Sequence, residues 1–365
     1  MQFVKVEDLK IGMRLARPIY NKQGVLLFER DSKLSEQAIS SIHNFGLIGI
    51  YILEPAEPVP PMSEEDMEFE RFQTMTVFAL QEELEHILET RKASKLPTIE
   101  ATIVRKYGHM DKKVNFYQNL RSYNDFVCKH SLNVAILCTM ISHVMNIRIE
   151  DQNNAVFAAL THDIGKVEIY KELGEGKGKV DLEELDSRLL KAQLTQSDII
   201  ENAFAQGTAV RRICVQVAKA QMEIAEGSPI SAKMSTAAKI VLVANKYDEM
   251  TAMRVNTTQT ESEVKAIKEL LSNPEYYDPE IVNALIQSIH ILFPGVSVEL
   301  NTGEKGLVLV ANEDDILRPM VLGFRNNSIL DLSQKAYQDI EIVDIMKTLD
   351  NRYVLDTEAL TNAGF

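Results

Sequence analysis

The sequence predicts a multidomain α+β protein, with a predominantly helical bundle set between a small N-terminal mixed α/β module and a compact C-terminal β-rich one. Two observations carry that prediction. Apolar residues recur at three- and four-residue intervals through most of residues 116–293, the period of helices with one buried face. Residues 1–55 and 294–365 instead show short apolar runs bounded by turn-forming residues, as strands do.

Residues 1–55 read in order as strands around Leu15–Ile19 and Gly24–Leu27, a helix over Ser35–Phe45 and a strand over Ile48–Leu53. Pro55, Pro58, Pro60 and Pro61 make Glu54–Pro61 a linker, because each lacks an amide proton and resists continuing a helix. Residues 56–115 are then linker and helical connector, with a Glu-rich helical period over Met67–Leu88 and weak patterning up to about Asn115. In the bundle, Val127, Ser131, Val134, Cys138, Ile141 and Met145 fall on one helical face. Further helices are predicted over Asn154–Gly165, Leu182–Ala203, Val210–Ile224, Ser235–Met250, Glu261–Leu271 and Pro279–Phe293. The Gly- and Lys-rich run GEGKGK, between Glu172 and Val180, reads as a mobile excursion. After Pro294, Val296–Leu300 and Gly306–Val310 flank the turn Asn301-Thr302-Gly303-Glu304, and Pro319–Phe324 and Ile340–Ile342 continue the strand-like signal.

Bulk properties narrow the function classes. A net charge of −14 with scattered Lys and Arg disfavours a general nucleic-acid surface, since a polyanion would be repelled. The N-terminus MQFVKVEDLKIGM has neither the apolar core nor the cleavage signal of a secretory leader, and no uninterrupted apolar run reaches bilayer length. A cytoplasmic protein is expected, with a partner needed for any membrane role. Cys128, Cys138 and Cys214 have neither metal-motif nor disulfide-framework spacing and read as reduced, packed thiols.

The residues that point to chemistry begin with His130, on the inward half of its helix, and continue with His162 and Asp163 in THDIGK. Imidazole nitrogens and a carboxylate can converge on a divalent metal, and Lys166, three residues after Asp163, returns beside that carboxylate where it can bind phosphate. Taken singly, a histidine more often satisfies a core hydrogen bond and an aspartate caps a helix. The combination is more specific.

Three stretches in order, YNDFVCKHSLNVAIL at 123–137, AALTHDIGK at 158–166 and AAKIVLVANKYDEMTAMR at 237–254, make the sequence resemble the HD-GYP branch of the HD superfamily. KVEDLKIGMRLARPIYNKQGVLL and FPGVSVELNTGEKGLVLV resemble its flanking modules. The resemblance implies an HD-type bundle and metal-dependent hydrolysis of cyclic di-GMP. It makes His130, His162 and Asp163 metal ligands and puts Lys166 near phosphate. It places Asn245 where the family has a ligating aspartate, and Asp248 at the second acidic position, an alternative ligand if it turns inward. Arg254, closing the third stretch, joins Lys166 as a candidate ligand-binding residue.

The sequence also departs from the family. No histidine lies between His162 and His290, and VAKAQMEIAEGSP, with Pro229 as a remnant, stands where HHE and GYP segments are expected. Glu223 is the substitute ligand that this region offers. One ion (Mn, Fe, Ni or Mg) is therefore expected, while the second ion of a two-metal site, about 3.5–4 Å away, lacks ligands. The leading expectation is a degenerate regulatory module that binds a cyclic dinucleotide, another phosphate-containing ligand or a signalling protein, with self-association open. An altered single-metal phosphohydrolase and a purely structural interaction module are the alternatives.

Overall fold

The computed structural model describes residues 2–21, 23–45, 49–53, 64–116, 118, 121–174, 182–195, 197–231, 233–252 and 261–346. The expected linker Glu54–Pro61, the GEGKGK run beyond Gly174, and Arg254 lie outside the described residues. The architecture is mixed α+β, with a helical core and strand-rich modules on either side of it in sequence.

The N-terminal module runs β1 (Gln2–Lys5), β2 (Arg14–Leu15), β3 (Ile19–Tyr20), β4 (Leu26–Phe28), α1 (Glu36–Asn44) and β5 (Gly49–Leu53). Pro18 divides the strand expected over Leu15–Ile19 into β2 and β3, since it has no amide proton for a ladder. Strand β5 pairs antiparallel with β1 on one side and β2 on the other, and β3 pairs with β4. Ser35 caps α1 by accepting from the Ala38 amide at 3.1 Å. Val6, Leu15, Leu34, Ala38, Ile42, Ile50 and Ile52 form a separate small core.

Eleven helices follow among the described residues: α2 (Glu64–Thr90), α3 (Leu96–Tyr107), α4 (Phe126–Val144), α5 (Ile149–Thr161), α6 (Val167–Gly174), α7 (Leu182–Thr195), α8 (Ser197–Ala203), α9 (Gly207–Ala225), α10 (Thr236–Thr251), α11 (Glu263–Ser272) and α12 (Pro279–Ser288). Helix α3 falls in the stretch that reads as weakly patterned. It starts at Leu96 because buried Glu83 of α2 accepts from the amides of Ser94, Lys95 and Leu96 at 2.6, 2.9 and 3.1 Å, with Pro97 in the first turn. Leu182–Ala203 forms two helices, and α12 stops at Ser288 because the next residues turn extended and bridge to Val114.

Helix α4 is the centre of the bundle. Among the described residues it is the one helix long and apolar enough to cross a bilayer, yet 83% of that stretch is buried inside the protein, mainly by neighbouring helices including α5, α10 and α12. The C-terminal strands β6 (Ser297–Leu300), β7 (Lys305–Val310), β8 (Met320–Gly323), β9 (Ser328–Asp331) and β10 (Ile342–Ile345) form one antiparallel sheet in the order β10-β6-β7-β8-β9. The turn over 301–304 joins β6 to β7, with Gly303 at φ +74° supplying the left-handed residue. Val298, Leu300, Val308, Val321, Leu330 and Ile342 of this sheet belong to the same apolar core as the helices.

Candidate metal centre

Two helices carry the site face to face. On α4, His130 and Asn133 are three residues apart and so share a face; on α10, whose N-terminus is capped by Ser235, the same spacing aligns Asn245 with Asp248. His162 is the C-cap of α5, followed by Asp163 and a 3-10 turn over Ile164–Lys166. His130, His162, Asp163, Asn245 and Asp248 are all at most 2% exposed.

The imidazole protons are committed on the outer sides of both rings. His130 Nδ1 lies 2.6 Å from Asp248 Oδ2, and Asp248 is an ionised acceptor. Burial opposes that ionisation, but Arg121 and His130 outweigh it and hold the carboxyl well below the usual carboxylate range. His162 Nδ1 lies 2.8 Å from the Ala159 carbonyl, which can only accept. That carbonyl lies in the last turn of α5, where helical partners run out. Burial pushes the His162 pKa down, against the opposing pull of the Asp163 carboxylate, and favours the neutral ring. An imidazole whose one proton is committed at Nδ1 presents its Nε2 lone pair inward.

Those lone pairs meet further acceptors. His130 Nε2 and His162 Nε2 are 3.2 Å apart, and the Asn245 Oδ1 is 3.0 and 3.1 Å from them. Asp163 brings Oδ2 to 3.7 Å from His130 Nε2 and Oδ1 to 3.5 Å from His162 Nε2. Bonds of about 2.0–2.1 Å from one ion to imidazole nitrogens, at roughly tetrahedral to right angles, would separate two ligand atoms by about 3.0–3.4 Å. The His130, His162 and Asn245 atoms have that spacing, so the residues fit one divalent ion. Among the described residues, His130, His162 and Asp163 are the one group of three His, Cys, Asp or Glu side chains that converges within 4.8 Å.

Asp163 has a second partner. Lys166 Nζ sits 2.8 Å from both of its oxygens, donating to Oδ2 while Oδ1 accepts no well-formed hydrogen bond. Burial would raise the Asp163 pKa, but the Lys166 ammonium works against that and the carboxyl stays below the usual range. Oδ1, beside the ammonium but without a well-formed hydrogen bond, keeps a lone pair that a metal ion would take up.

Asp248, named from sequence as an alternative ligand, stands behind His130 instead of beside the cluster. Arg121 Nη2 donates to its oxygens at 2.6 and 2.7 Å, and Asn133 Nδ2 and Gln118 Nε2 each donate to Oδ1 at 3.0 Å. Gln118 Oε1 in turn accepts from Arg121 and Asn133, and Gln73 of α2 donates to Asn133 at 2.8 Å. With its carboxylate filled this way, Asp248 has no inward-facing oxygen. Glu223 is not part of the converging group either: it is near the surface, bonded to Ser231. The sequence reading missed Arg121, Gln118, Asn133 and Gln73. Asn133 alone left a signal, a polar residue inside the apolar run of α4.

Residues 111–281 match the family model described as HD domain. Over that stretch the chain is similar to HD domains. An HD-GYP-related assignment accords with that match and with the His130, His162 and Asp163 cluster. A solved structure titled as Bd1817, a HDG"Y"P protein from Bdellovibrio bacteriovorus, aligns over 78% of this chain and 97% of its own, at 12% identity and a TM-score of 0.43. No curated protein matches significantly. The cluster lies within the matched stretch and is consistent with a single divalent-metal site.

Proposed function

We propose that this HD-domain protein is a regulatory module that holds one divalent ion and uses it to bind a phosphate-bearing ligand, with a cyclic dinucleotide as the first candidate. The observation that carries the reading is the triangle of His130 Nε2, His162 Nε2 and Asn245 Oδ1, with edges of 3.0 to 3.2 Å, backed by the Asp163 carboxylate. A bound ion would supply Lewis acidity toward a phosphate oxygen. The chain's own part is to orient both imidazoles through their outer protons and to keep the Lys166 ammonium beside the ion's carboxylate. Three buried free cysteines suit a reducing, cytoplasmic setting.

Conventional two-metal hydrolysis of cyclic di-GMP is not expected, because the described residues offer no second converging set. The purified chain, supplied separately with manganese, iron, nickel or magnesium, will take one ion and leave cyclic di-GMP intact. Metal-dependent turnover that vanishes in His162→Ala and Asp163→Ala would overturn the reading in favour of an altered phosphohydrolase. Lys166 favours that second reading: its side chain is 13% exposed and placed to stabilise charge developing on a phosphate.

A further inference from the structure

We propose that Arg17 and Gln118 position the metal centre from the N-terminal module, so that the seating of this module on α2 sets the affinity for the ion. The proposal rests on the single-ion reading. Arg17 lies between β2 and β3, and its guanidinium stacks over the Tyr51 ring of β5 at 4.7 Å, which anchors it in the module. Its Nη1 reaches out of the module to two places at once: it donates to the main-chain carbonyl of Gln118 at 3.3 Å and lies 3.4 Å from Glu70 Oε1 on α2. Glu70 is buried, and burial raises its pKa; Arg17 opposes that shift, so the two groups hold each other in place.

Gln118 carries the contact inward. Its Nε2 donates to Asp248 Oδ1 at 3.0 Å and to Thr251 Oγ1 at 2.8 Å, while its Oε1 accepts from Arg121 and Asn133. Asp248 then receives the His130 Nδ1 proton at 2.6 Å, which turns Nε2 toward the ion. One turn along α2 from Glu70, Gln73 orients Asn133, which also donates to Asp248. A shift of the N-terminal module therefore moves the carboxylate that fixes the His130 tautomer. A second contact makes the seating close: a side chain at Gly24, where φ is +75°, would collide with Met75 of α2.

Groups that orient a ligating histidine from behind alter metal affinity about 10- to 100-fold when removed. The test titrates the full chain with Mn(II), followed by electron paramagnetic resonance. Arg17→Met and Gln118→Met are each expected to weaken binding about tenfold, and the double variant no more than Gln118→Met alone, because the two act in series. Arg14→Met, which breaks only the exposed pair with Asp31 in the same module, is expected to bind like wild type. In the metal-free chain, the low-field Nδ1 proton resonance of His130 is expected to shift in Arg17→Met and stay put in Arg14→Met. If Arg17→Met proves unstable, Arg17→Lys keeps the charge but loses the fork and is expected to show an intermediate loss. Wild-type affinity in Arg17→Met and Arg17→Lys, with binding abolished in Asp163→Ala, would overturn the inference and leave the single-ion reading standing. Failure of the wild type to take Mn(II) would overturn both.

Discussion

The two nitrogens of His130 face opposite kinds of surroundings. Behind Nδ1 lies a buried polar network in which Asp248 accepts from His130, Arg121, Asn133 and Gln118. In front of Nε2 lie acceptors: a second imidazole nitrogen, an amide oxygen and a carboxylate. The Asp248 carboxylate is filled by protein donors alone, although Arg121 keeps Nε and Nη1 buried without a hydrogen-bond partner, whereas the front has a surplus of lone pairs that a cation balances. The difference teaches that the front and rear of one ligand can be altered separately. In front, the number of ligands is what limits the site; behind, Asp248 holds His130 with four protein donors.

Substitutions on the two sides break this comparison in different ways, and the largest effect is expected in front. His162→Ala or Asp163→Ala will abolish stoichiometric metal binding, at least 100-fold by calorimetry, with the ion-free fold retained. Behind, Asp248→Asn will act on both properties. Leaving Arg121 buried without its anion costs on the order of 3–5 kcal/mol in denaturant unfolding, and metal affinity falls about 10- to 100-fold.

The rear network also has a pH signature. The folded Asp248 and Asp163 carboxyls lie below their ordinary value, so the unfolded chain takes up protons first as the solution is acidified. Their stabilisation is fully present above about pH 5 and is lost as pH falls through about 4 toward the depressed folded values. Urea midpoints measured from pH 6 to 3 will fall steeply in wild type and less steeply in Asp248→Asn.

Smaller effects sharpen the comparison. Asn245→Asp adds a charge to the front about 3 Å from both imidazoles and is expected to tighten Mn(II) binding on the order of tenfold, leaving the His130 Nδ1 signal unchanged. Lys166→Met frees Asp163 from its internal partner: metal affinity will rise a few-fold, while phosphate affinity of the metal-loaded protein falls by about tenfold. Equal losses of both would place Lys166 in the scaffold.

Much of the bundle was legible because its apolar periodicity is long. Helices α4, α9 and α10 lie within a few residues of the expected limits, and Ser235 marks the start of α10 as a capping residue should. Helix α3 was missed because the group that starts it, Glu83, comes from another helix. Strands β1 and β9, at four residues each, are too short to show a period and are defined by the neighbours they pair with. In the site, spacing along one helix aligned Asn245 with Asp248, but it could not say which of them faces the imidazoles. Arg121 and Gln118 decide that, and both come from the segment leading into α4, where no periodicity announces them.

The two strand-rich modules differ in one more respect, and its consequence concerns timing on the ribosome. The first module closes a core of its own within residues 2–53, so it can fold while the remainder is still being made. The helices cannot complete theirs until Val298, Leu330 and Ile342 have emerged, because these side chains finish the same apolar interior. A nascent chain halted after α12 would display the uncovered helical surface to chaperones and proteases, with the first module already folded beside it.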